Sequence, residues 1–302
     1  LETIRAAGRM LHEAFPTSEL RFSSIIRTPP VGGPEDQSDF LNAIARGDHR
    51  NTPWEVWEKL KQIESNLGRR RFQRWESRRI DMDLILHEDL RIWTPHFKIP
   101  HPRMCMRTFV LHPATQVGPE LIDPVTGCSI QSLGARLRVS HAPRIAVLCN
   151  TESFAIALEH ALDQRDTIPH DSVSVLHCPD PQQWSNPFQP NANMLFPNAD
   201  RGEPGAALVP DLCIACVETP EPETVLWEDF SLPWARALNL VPYKPEGMDA
   251  RSASSLAVRP QEGTLVRYLM PGNDLDWVCH EIEAALIAMR CPLEFTDYSW
   301  NL

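Results

Sequence analysis

Asp81 and Asp83 are the pair of side chains in this sequence that points most directly to chemistry. They lie within residues 79–87, where apolar residues alternate with the two aspartates as in a β-strand with one buried face. The rise per residue of a strand would place their Cα atoms ~7 Å apart on the opposite face. Two such carboxylates are suited to bind or bridge Mg²⁺, which prefers a few carboxylates together with phosphate oxygens. An edge strand with a solvent-facing acidic side would give the same pattern.

An arginine-rich stretch directly precedes the acid pair. Residues 69–79 hold six arginines and one glutamate, a local charge of +5 in a chain whose formal net charge is −11. A solvated basic face is the simpler interpretation of such a run. Nucleic-acid binding is disfavoured, because nothing extends the run into a stripe and the overall negative charge opposes a polyanion. Carboxylates for a metal and guanidinium groups for phosphate are, however, the two halves of a nucleotide-transfer site.

Phe40 and Asn42 form a second pair, on one face of a predicted strand. An amide can hydrogen-bond a ring edge as donor and acceptor while an aromatic side chain stacks on the ring face. Core packing for Phe40 and a cross-strand hydrogen bond for Asn42 are the simpler interpretation of these two residues taken alone. His101, between two prolines, and Arg107 would be surface residues by default.

The elements around these residues divide the chain into two halves that differ in their pattern of predicted strands and helices. In the first half, helical periodicity over residues 1–15 and a capped helix from Thr52 to about Leu67 alternate with strand patterns at 19–27, 39–45 and 79–87. This mixture predicts an α+β sandwich over residues 1–140. In the second half, continuous apolar runs alternate with helical stretches, which predicts a doubly wound (Rossmann- or flavodoxin-like) α/β domain over 144–302.

The composition excludes several classes of protein. With 42% hydrophobic and 23% charged residues in 302, the chain is neither disordered nor collagen-like. Its apolar runs are too short to cross a bilayer, and Leu1 opens a helical pattern without a basic-then-apolar leader. Eight scattered cysteines suggest reduced thiols, so a cytoplasmic protein is expected. Cys213 and Cys216 should point to opposite faces of a buried strand and thus be structural.

Residues 1–135 contain a series of short motifs. They are Thr28-Pro29-Pro30-Val31-Gly32, Gln37 with Phe40-Leu41-Asn42-Ala43, Ile63-Glu64, Gly68-Arg69 through Arg71, Arg74-Trp75, Arg78, Ile80-Asp81 and Asp83 to Leu86, and Ile99-Pro100-His101-Pro102-Arg103-Met104 with Arg107 and Phe109-Val110-Leu111. In their order and spacing, these motifs resemble those of the hydroxymethyldihydropterin pyrophosphokinase family of folate biosynthesis. The resemblance implies a ferredoxin-like fold for residues 1–140. It also implies an ATP-dependent diphosphotransferase that passes pyrophosphate to 6-hydroxymethyl-7,8-dihydropterin.

The resemblance also implies roles for individual residues. Asp81 and Asp83 would hold two Mg²⁺ ions, and Arg69 and Arg78 would act on the phosphates during transfer. The pterin would be bound by Thr28, Val31, Phe40, Asn42 and Phe109, and ATP by Glu64, Arg71, Leu84, His101 and Arg107. Residues 69–77 would form a lid that excludes water.

Two departures from the family pattern are visible. The family opens with a strand and a Gly-Ser-Asn segment ahead of its first helix, and this sequence starts inside that helix. Where the family usually has Gly-Pro after the lid tryptophan, this chain has Glu76-Ser77, whose carboxylate could disfavour a closed lid beside phosphates. A pterin- or nucleotide-binding protein with weakened catalysis, acting through its second half, is the alternative function. For residues 144–302, a structural or dimerising role and a ligand-sensing role both stay open.

Overall fold

The chain folds into a mixed α/β structure, which confirms the predicted class. The computed structural model describes residues 1–16, 19–31, 37–68, 79–93, 97–138, 142–169, 171–179, 211–218 and 266–300. The helices within these ranges are α1 (Glu2–Ala14), α2 (Pro53–Asn66), α3 (Thr108–Val117), α4 (Ile130–Arg136), α5 (Glu152–Asp163) and α6 (Leu275–Met289). The strands are β1 (Arg21–Phe22), β2 (Ile26–Thr28), β3 (Phe40–Asn42), β4 (Ala45–Arg46), β5 (Ile92–Trp93), β6 (Lys98–Ile99), β7 (Ile145–Cys149), β8 (Val173–His177), β9 (Leu212–Val217), β10 (Val266–Pro271) and β11 (Glu294–Phe295). The finer assignment, a ferredoxin-like sandwich followed by a doubly wound domain, stays a prediction.

An interrupted antiparallel hairpin forms the centre of the first half. β2 pairs with β3, and β1 pairs with β4 further along the same two arms. The Ser23 amide bridges the interruption by donating to the carbonyl of Ile44 at 2.9 Å. β11, from the far end of the chain, pairs antiparallel with β2, so the sheet order is β11-β2-β3.

The helix α2 begins where the sequence predicts. The Thr52 side chain accepts a hydrogen bond from the Glu55 amide, and the Glu55 carboxylate accepts one from the Thr52 amide, which completes a capping box ahead of Pro53. Val56 and Leu60 then pack against Phe15 of the segment that follows α1. This contact fixes α2 beneath the segment that carries the acid pair.

The prediction of a β-strand over residues 79–87 is wrong, because this segment does not form the hydrogen bonds of a strand within the described part of the chain. Among the described residues no strand ladder forms along this segment, although the Ile85 carbonyl accepts a hydrogen bond from the His101 amide at 2.9 Å. The alternation of its faces is nevertheless kept: Met82 and Leu84 pack into apolar clusters, whereas Asp81 and Asp83 are exposed. The period of two therefore predicted the side-chain directions correctly without predicting the pairing.

The second half contains a four-stranded parallel sheet in the order β10-β9-β7-β8. Each residue of β7 is buried, as expected for a strand covered on both faces. One continuous apolar core joins this sheet and its helices α5 and α6 to α3 and α4 of the first half. The two halves are thus packed together rather than joined only by a linker.

Cysteines line the centre of this sheet. Cys213 and Cys216 of β9 are fully buried free thiols, as the sequence predicts for structural cysteines. Burial raises the pKa of both thiols, and it raises that of Cys149 on the neighbouring strand to about 12. These thiols therefore stay protonated at neutral pH. No helix in the described parts of the chain has both the length and the apolar character needed to span a membrane.

Candidate active site

The acid pair is positioned by a buried carboxylate on α2. Glu64 is 1% exposed, and its Oε1 accepts a hydrogen bond from the Met82 amide at 2.6 Å. Lys61, one turn earlier, lies 3.1 Å from the other carboxylate oxygen of Glu64. Since Met82 lies between Asp81 and Asp83, this hydrogen bond fixes the backbone from which both exposed aspartates project.

His101 reaches the acid pair from the loop after β6. Its Nε2 lies 3.6 Å from Oδ2 of Asp83, and its Nδ1 is 3.2 Å from the Arg103 amide nitrogen, which donates to it. An imidazole nitrogen that accepts a hydrogen bond leaves the proton of the neutral ring on the other nitrogen, here the one facing Asp83. The His101 amide also donates to the carbonyl of Ile85 at 2.9 Å, which ties the loop to the acidic segment.

Arg103 is held by the second half of the chain. Its Nη2 lies 2.7 Å from Oε1 of Glu281, a residue of α6 whose side chain is only 13% exposed. The contact spans 178 positions of sequence. A helix of the second half is therefore connected, through Arg103 and His101, to one member of the acid pair.

Phe40 and Asn42 lie on β3 beside the predicted pterin loop. The Phe40 side chain is 37% exposed, whereas Asn42 is half-buried and donates from Nδ2 to the Thr28 hydroxyl at 2.9 Å. The cross-strand bond considered as an alternative for Asn42 thus exists. It also orients the amide, because it uses one N–H and leaves the carbonyl oxygen of the side chain as an acceptor.

Phe109 occupies the first turn of α3, two residues after Arg107. It is half-buried and packs against the main core, and the Arg107 guanidinium lies 5.5 Å from the centre of its ring. Arg107 is also the N-cap residue of α3, so both side chains project from the start of the same helix.

A large cavity brings many of the predicted site residues together. Its volume is about 3080 Å³, and it runs from α1 and the β3–β4 arm past the acid pair to α6. Of the predicted site residues, it is lined by Val31, Phe40, Asn42, Asp81, Asp83 and Leu84. Five further predicted site residues are described but do not line the cavity: Thr28, Glu64, His101, Arg107 and Phe109. Leu84 also packs against two apolar clusters.

Arg69, Arg71 and Arg78 lie outside the described residues, as does the rest of the predicted lid with Glu76 and Ser77. Their predicted roles on the phosphates therefore stay predictions.

The donor set of the acid pair fits Mg²⁺ bound jointly with phosphate. Within the described ranges, no group of three or more histidine, cysteine, aspartate or glutamate side chains could enclose a metal ion. Two exposed carboxylates facing a cavity are instead what Mg²⁺ uses when a substrate supplies the remaining oxygens. Asp81 and Asp83 are therefore suitable metal ligands only together with a phosphate-bearing substrate.

Sequence reasoning missed Glu281 and Cys291 as neighbours of the site. Cys291 is 4% exposed; burial raises the pKa of its thiol, and a hydrogen bond with the Thr28 side chain opposes that rise. Neither residue belongs to a motif, since each reaches the site only through folding of the second half onto the first. No sequence signal singles out Glu281, because α6 also carries Asp276, His280 and Glu283.

An acid pair suited to a metal and an aromatic–amide pair suited to a flat ring line one cavity, an arrangement compatible with transfer of phosphate groups. The family model described as 7,8-dihydro-6-hydroxymethylpterin-pyrophosphokinase (HPPK) matches residues 1–119. The chain is similar to curated 2-amino-4-hydroxy-6-hydroxymethyldihydropteridine pyrophosphokinases. That of Bacillus subtilis is 36% identical over 134 residues, which is 44% of this chain and 80% of the relative. That of Haemophilus influenzae is 32% identical over 124 residues, which is 41% of this chain and 77% of the relative. That of Methylorubrum extorquens is 35% identical over 123 residues, which is 41% of this chain and 76% of the relative.

The chain therefore belongs to the hydroxymethyldihydropterin pyrophosphokinase family, and it is an enzyme of the pyrophosphokinase class. The family model covers residues 1–119, which lie in the first half of the chain.

Proposed function

We propose that this chain transfers pyrophosphate from ATP to 6-hydroxymethyl-7,8-dihydropterin, giving AMP and the pterin diphosphate, as a step of folate biosynthesis. The observation that carries the proposal is the acid pair, held by Glu64 and facing the same cavity as Phe40 and Asn42. Membership of the pyrophosphokinase family supports the same reaction.

Asp81 and Asp83 would hold Mg²⁺, with two ions expected. A metal held there would supply positive charge that offsets the negative charge developing on the leaving AMP. The two carboxylates supply the protein's share of the ligands, and Glu64 limits their movement by fixing the backbone at Met82. His101 beside Asp83 would contact ATP from the same side.

The pterin would lie between the aromatic rings of Phe40 and Phe109. The Asn42 amide would hydrogen-bond the pterin edge together with backbone groups near Thr28 and Val31. The bond from Asn42 to Thr28 supports this role, because it fixes which way the amide faces before a substrate arrives.

Arg69 and Arg78 would bind the transferring phosphates, while Arg71, Arg107, Glu64 and Leu84 would surround the nucleotide. The hydroxymethyl oxygen attacks the β-phosphorus of ATP, and the bond from that phosphorus to the oxygen bridging to the α-phosphorus breaks. The alcohol proton is released, and AMP leaves with the electron pair of the broken bond. No protein nucleophile is required, so catalysis consists of alignment and electrostatic stabilisation in a closed site.

The test is a coupled assay of AMP formation with ATP, Mg²⁺ and the dihydropterin, on the full chain. The wild type should form AMP only when the dihydropterin is present, and Asp83→Ala should lower kcat at least 100-fold, the order expected when a metal ligand and its charge are lost. Asp163→Ala, which removes an exposed carboxylate on α5, is the matched control and should be fully active. Binding of both substrates by the wild type without AMP formation would instead support the alternative of a binding protein.

A further inference from the structure

Two of the elements that carry proposed pterin residues, β2 and α3, are joined by a segment from the second half of the chain. This segment, residues 288–296, runs from the end of α6 through Cys291 to β11 and the residue after it. One side of it contacts the strand that ends at Thr28, and the other contacts the start of α3, where Phe109 lies.

On the α3 side, the Thr108 hydroxyl is the connection. Its Oγ1 lies 3.1 Å from the carbonyl oxygen of Ala288 and 3.0 Å from that of Cys291, so it donates a hydrogen bond shared between the two. Thr108 directly precedes Phe109. The C-terminal end of α6 therefore fixes the first turn of α3, and His112 one turn later meets the Phe295 ring edge-on at 5.1 Å.

On the β2 side, the segment forms a third strand of the sheet. Glu294 pairs with Arg27 and Phe295 with Ile26, and the Glu294 carboxylate lies 3.5 Å from the Arg27 guanidinium. The Thr296 hydroxyl donates to the carbonyl of Ile25 at 2.6 Å. These contacts leave β2 with a hydrogen-bonded neighbour on each edge.

Cys291 lies where the two sides meet. Its sulfur is 4.0 Å from the carbonyl oxygen of Pro29 and interacts with the Thr28 side chain, while its own carbonyl accepts from Thr108. Thr28 in turn accepts from Asn42. An unbroken series of contacts thus leads from the helix start before Phe109, through Cys291, to the amide of Asn42.

We propose that residues 288–296 are a positioning element of the pterin pocket, which sets the separation between the strand carrying Thr28 and the helix start carrying Phe109. Thr108 and Cys291 are its positioning residues. The inference rests on the proposed function, and it assigns the second half of the chain a direct part in substrate recognition by the first.

Thr108→Val tests this proposal, because it removes the shared hydrogen bond and keeps the shape of the side chain. The KM for the dihydropterin should rise roughly three- to tenfold, as expected for the loss of one hydrogen bond. The KM for ATP should rise less than that for the dihydropterin, since Arg107 is the one proposed ATP residue at this helix start, while Glu64, Leu84 and His101 lie on other elements. Thr108→Ser keeps the hydroxyl and should restore the wild-type KM.

Thr115→Val is the matched control. Its hydroxyl donates to the carbonyl of His112 at 2.7 Å within the same helix and does not touch residues 288–296. If Thr108→Val fails to fold, the KM for the dihydropterin is measured on Thr296→Val instead. This substitution breaks the contact of the same segment with Ile25, at the exposed edge of the sheet.

The outcomes separate the two proposals. Wild-type protein that forms no AMP overturns the proposed function. Active wild type together with a folded Thr108→Val variant of unchanged dihydropterin KM overturns the positioning role. An equal rise of both KM values would also contradict it, because that result indicates general loosening of the fold.

Discussion

The Glu64 carboxylate and the Met82 backbone N–H are joined by a 2.6 Å hydrogen bond, and Met82 is the residue between Asp81 and Asp83. Glu64 is almost fully buried, so this bond lies in an environment of low dielectric constant, where it is strong. The family resemblance assigns Glu64 to the nucleotide. Its contacts give it a further effect, since the backbone of the acid pair has no strand ladder to hold it among the described residues.

Glu64→Ala should therefore loosen the acid pair as well as the nucleotide site. The substitution leaves the Met82 amide without its acceptor, and we expect a loss of about 1–3 kcal/mol in the free energy of unfolding, measured by urea denaturation. The Mg²⁺ concentration that gives half-maximal AMP formation should rise. Glu64→Gln retains an acceptor oxygen and should lose less stability.

Glu58→Ala is the control for this substitution, because Glu58 is an exposed carboxylate on the same helix. Among the described residues its carboxylate accepts a hydrogen bond only from the Trp54 indole at 2.9 Å, so the substitution should change stability by less than ~1 kcal/mol. An unfolding free energy of Glu64→Ala equal to that of the control would show that the hydrogen bond to Met82 does not hold the segment.

The ion pair between Arg103 and Glu281 predicts communication between the two halves. Glu281→Gln keeps the shape of the side chain but removes its charge, so the Arg103 guanidinium is held less firmly, and so is the Arg103 amide that donates to His101. We expect the KM for ATP to rise about two- to fivefold, in line with about 1 kcal/mol for a partly exposed ion pair. The dihydropterin KM should not change.

Glu283→Gln is the matched control for Glu281→Gln. Glu283 lies on the same helix and pairs at 3.3 Å with Arg165, which belongs to the second half. Its loss should affect the stability of the chain without changing the KM for ATP. Identical ATP KM values for both variants and the wild type would disprove the connection through Arg103.

The sequence predicts the local parts of this site well, because they depend on the alternation of side chains along an extended segment and on the residues that cap a helix. The opposite facing of Asp83 and Met82, and the start of α2 at Pro53, are examples. It does not predict the contact of Arg103 with Glu281, since neither residue type nor spacing encodes a partner 178 positions away. β11 was missed for a related reason: two residues are too few to show a period.

The pairing of residues 79–87 was predicted wrongly because alternation reports which side of a segment is buried, not whether a neighbouring strand is present. Met82 and Leu84 are directed inward by apolar contacts with α2 and its surroundings, which produce the same alternation as a ladder would. The positions of the two carboxylates were therefore predicted for a reason that was only half correct.

Glu76→Gly should increase turnover. If Glu76 approaches the phosphates of bound ATP when the proposed lid closes, its carboxylate would be repelled by them, and glycine would remove that repulsion. We expect kcat to rise about two- to tenfold, as estimated for one screened repulsion, with little change in either KM. Glu76→Gln separates charge from backbone freedom and should give most of the increase. Steady-state rates equal to those of the wild type in both variants would contradict this role of Glu76.

Mild acid should destabilise the fold through His49. Burial disfavours the charged imidazole, and His87, whose ring lies 5.2 Å away, adds repulsion, so the pKa of His49 falls below its ordinary value of 6.5. Below about pH 6.5, His49 of the unfolded chain is protonated while His49 of the folded chain is still neutral. The free energy of unfolding therefore decreases as the pH falls from about 6.5 towards the lower pKa of the folded state. Burial also lowers the pKa of His112, which acts in the same direction. Urea denaturation at pH 7.5 and 5.5 should show a lower unfolding free energy in acid, and His49→Gln should reduce that difference. His160→Gln, at an exposed position on α5, should leave it unchanged, and a His49→Gln variant with the full wild-type loss would rule out His49 as its source.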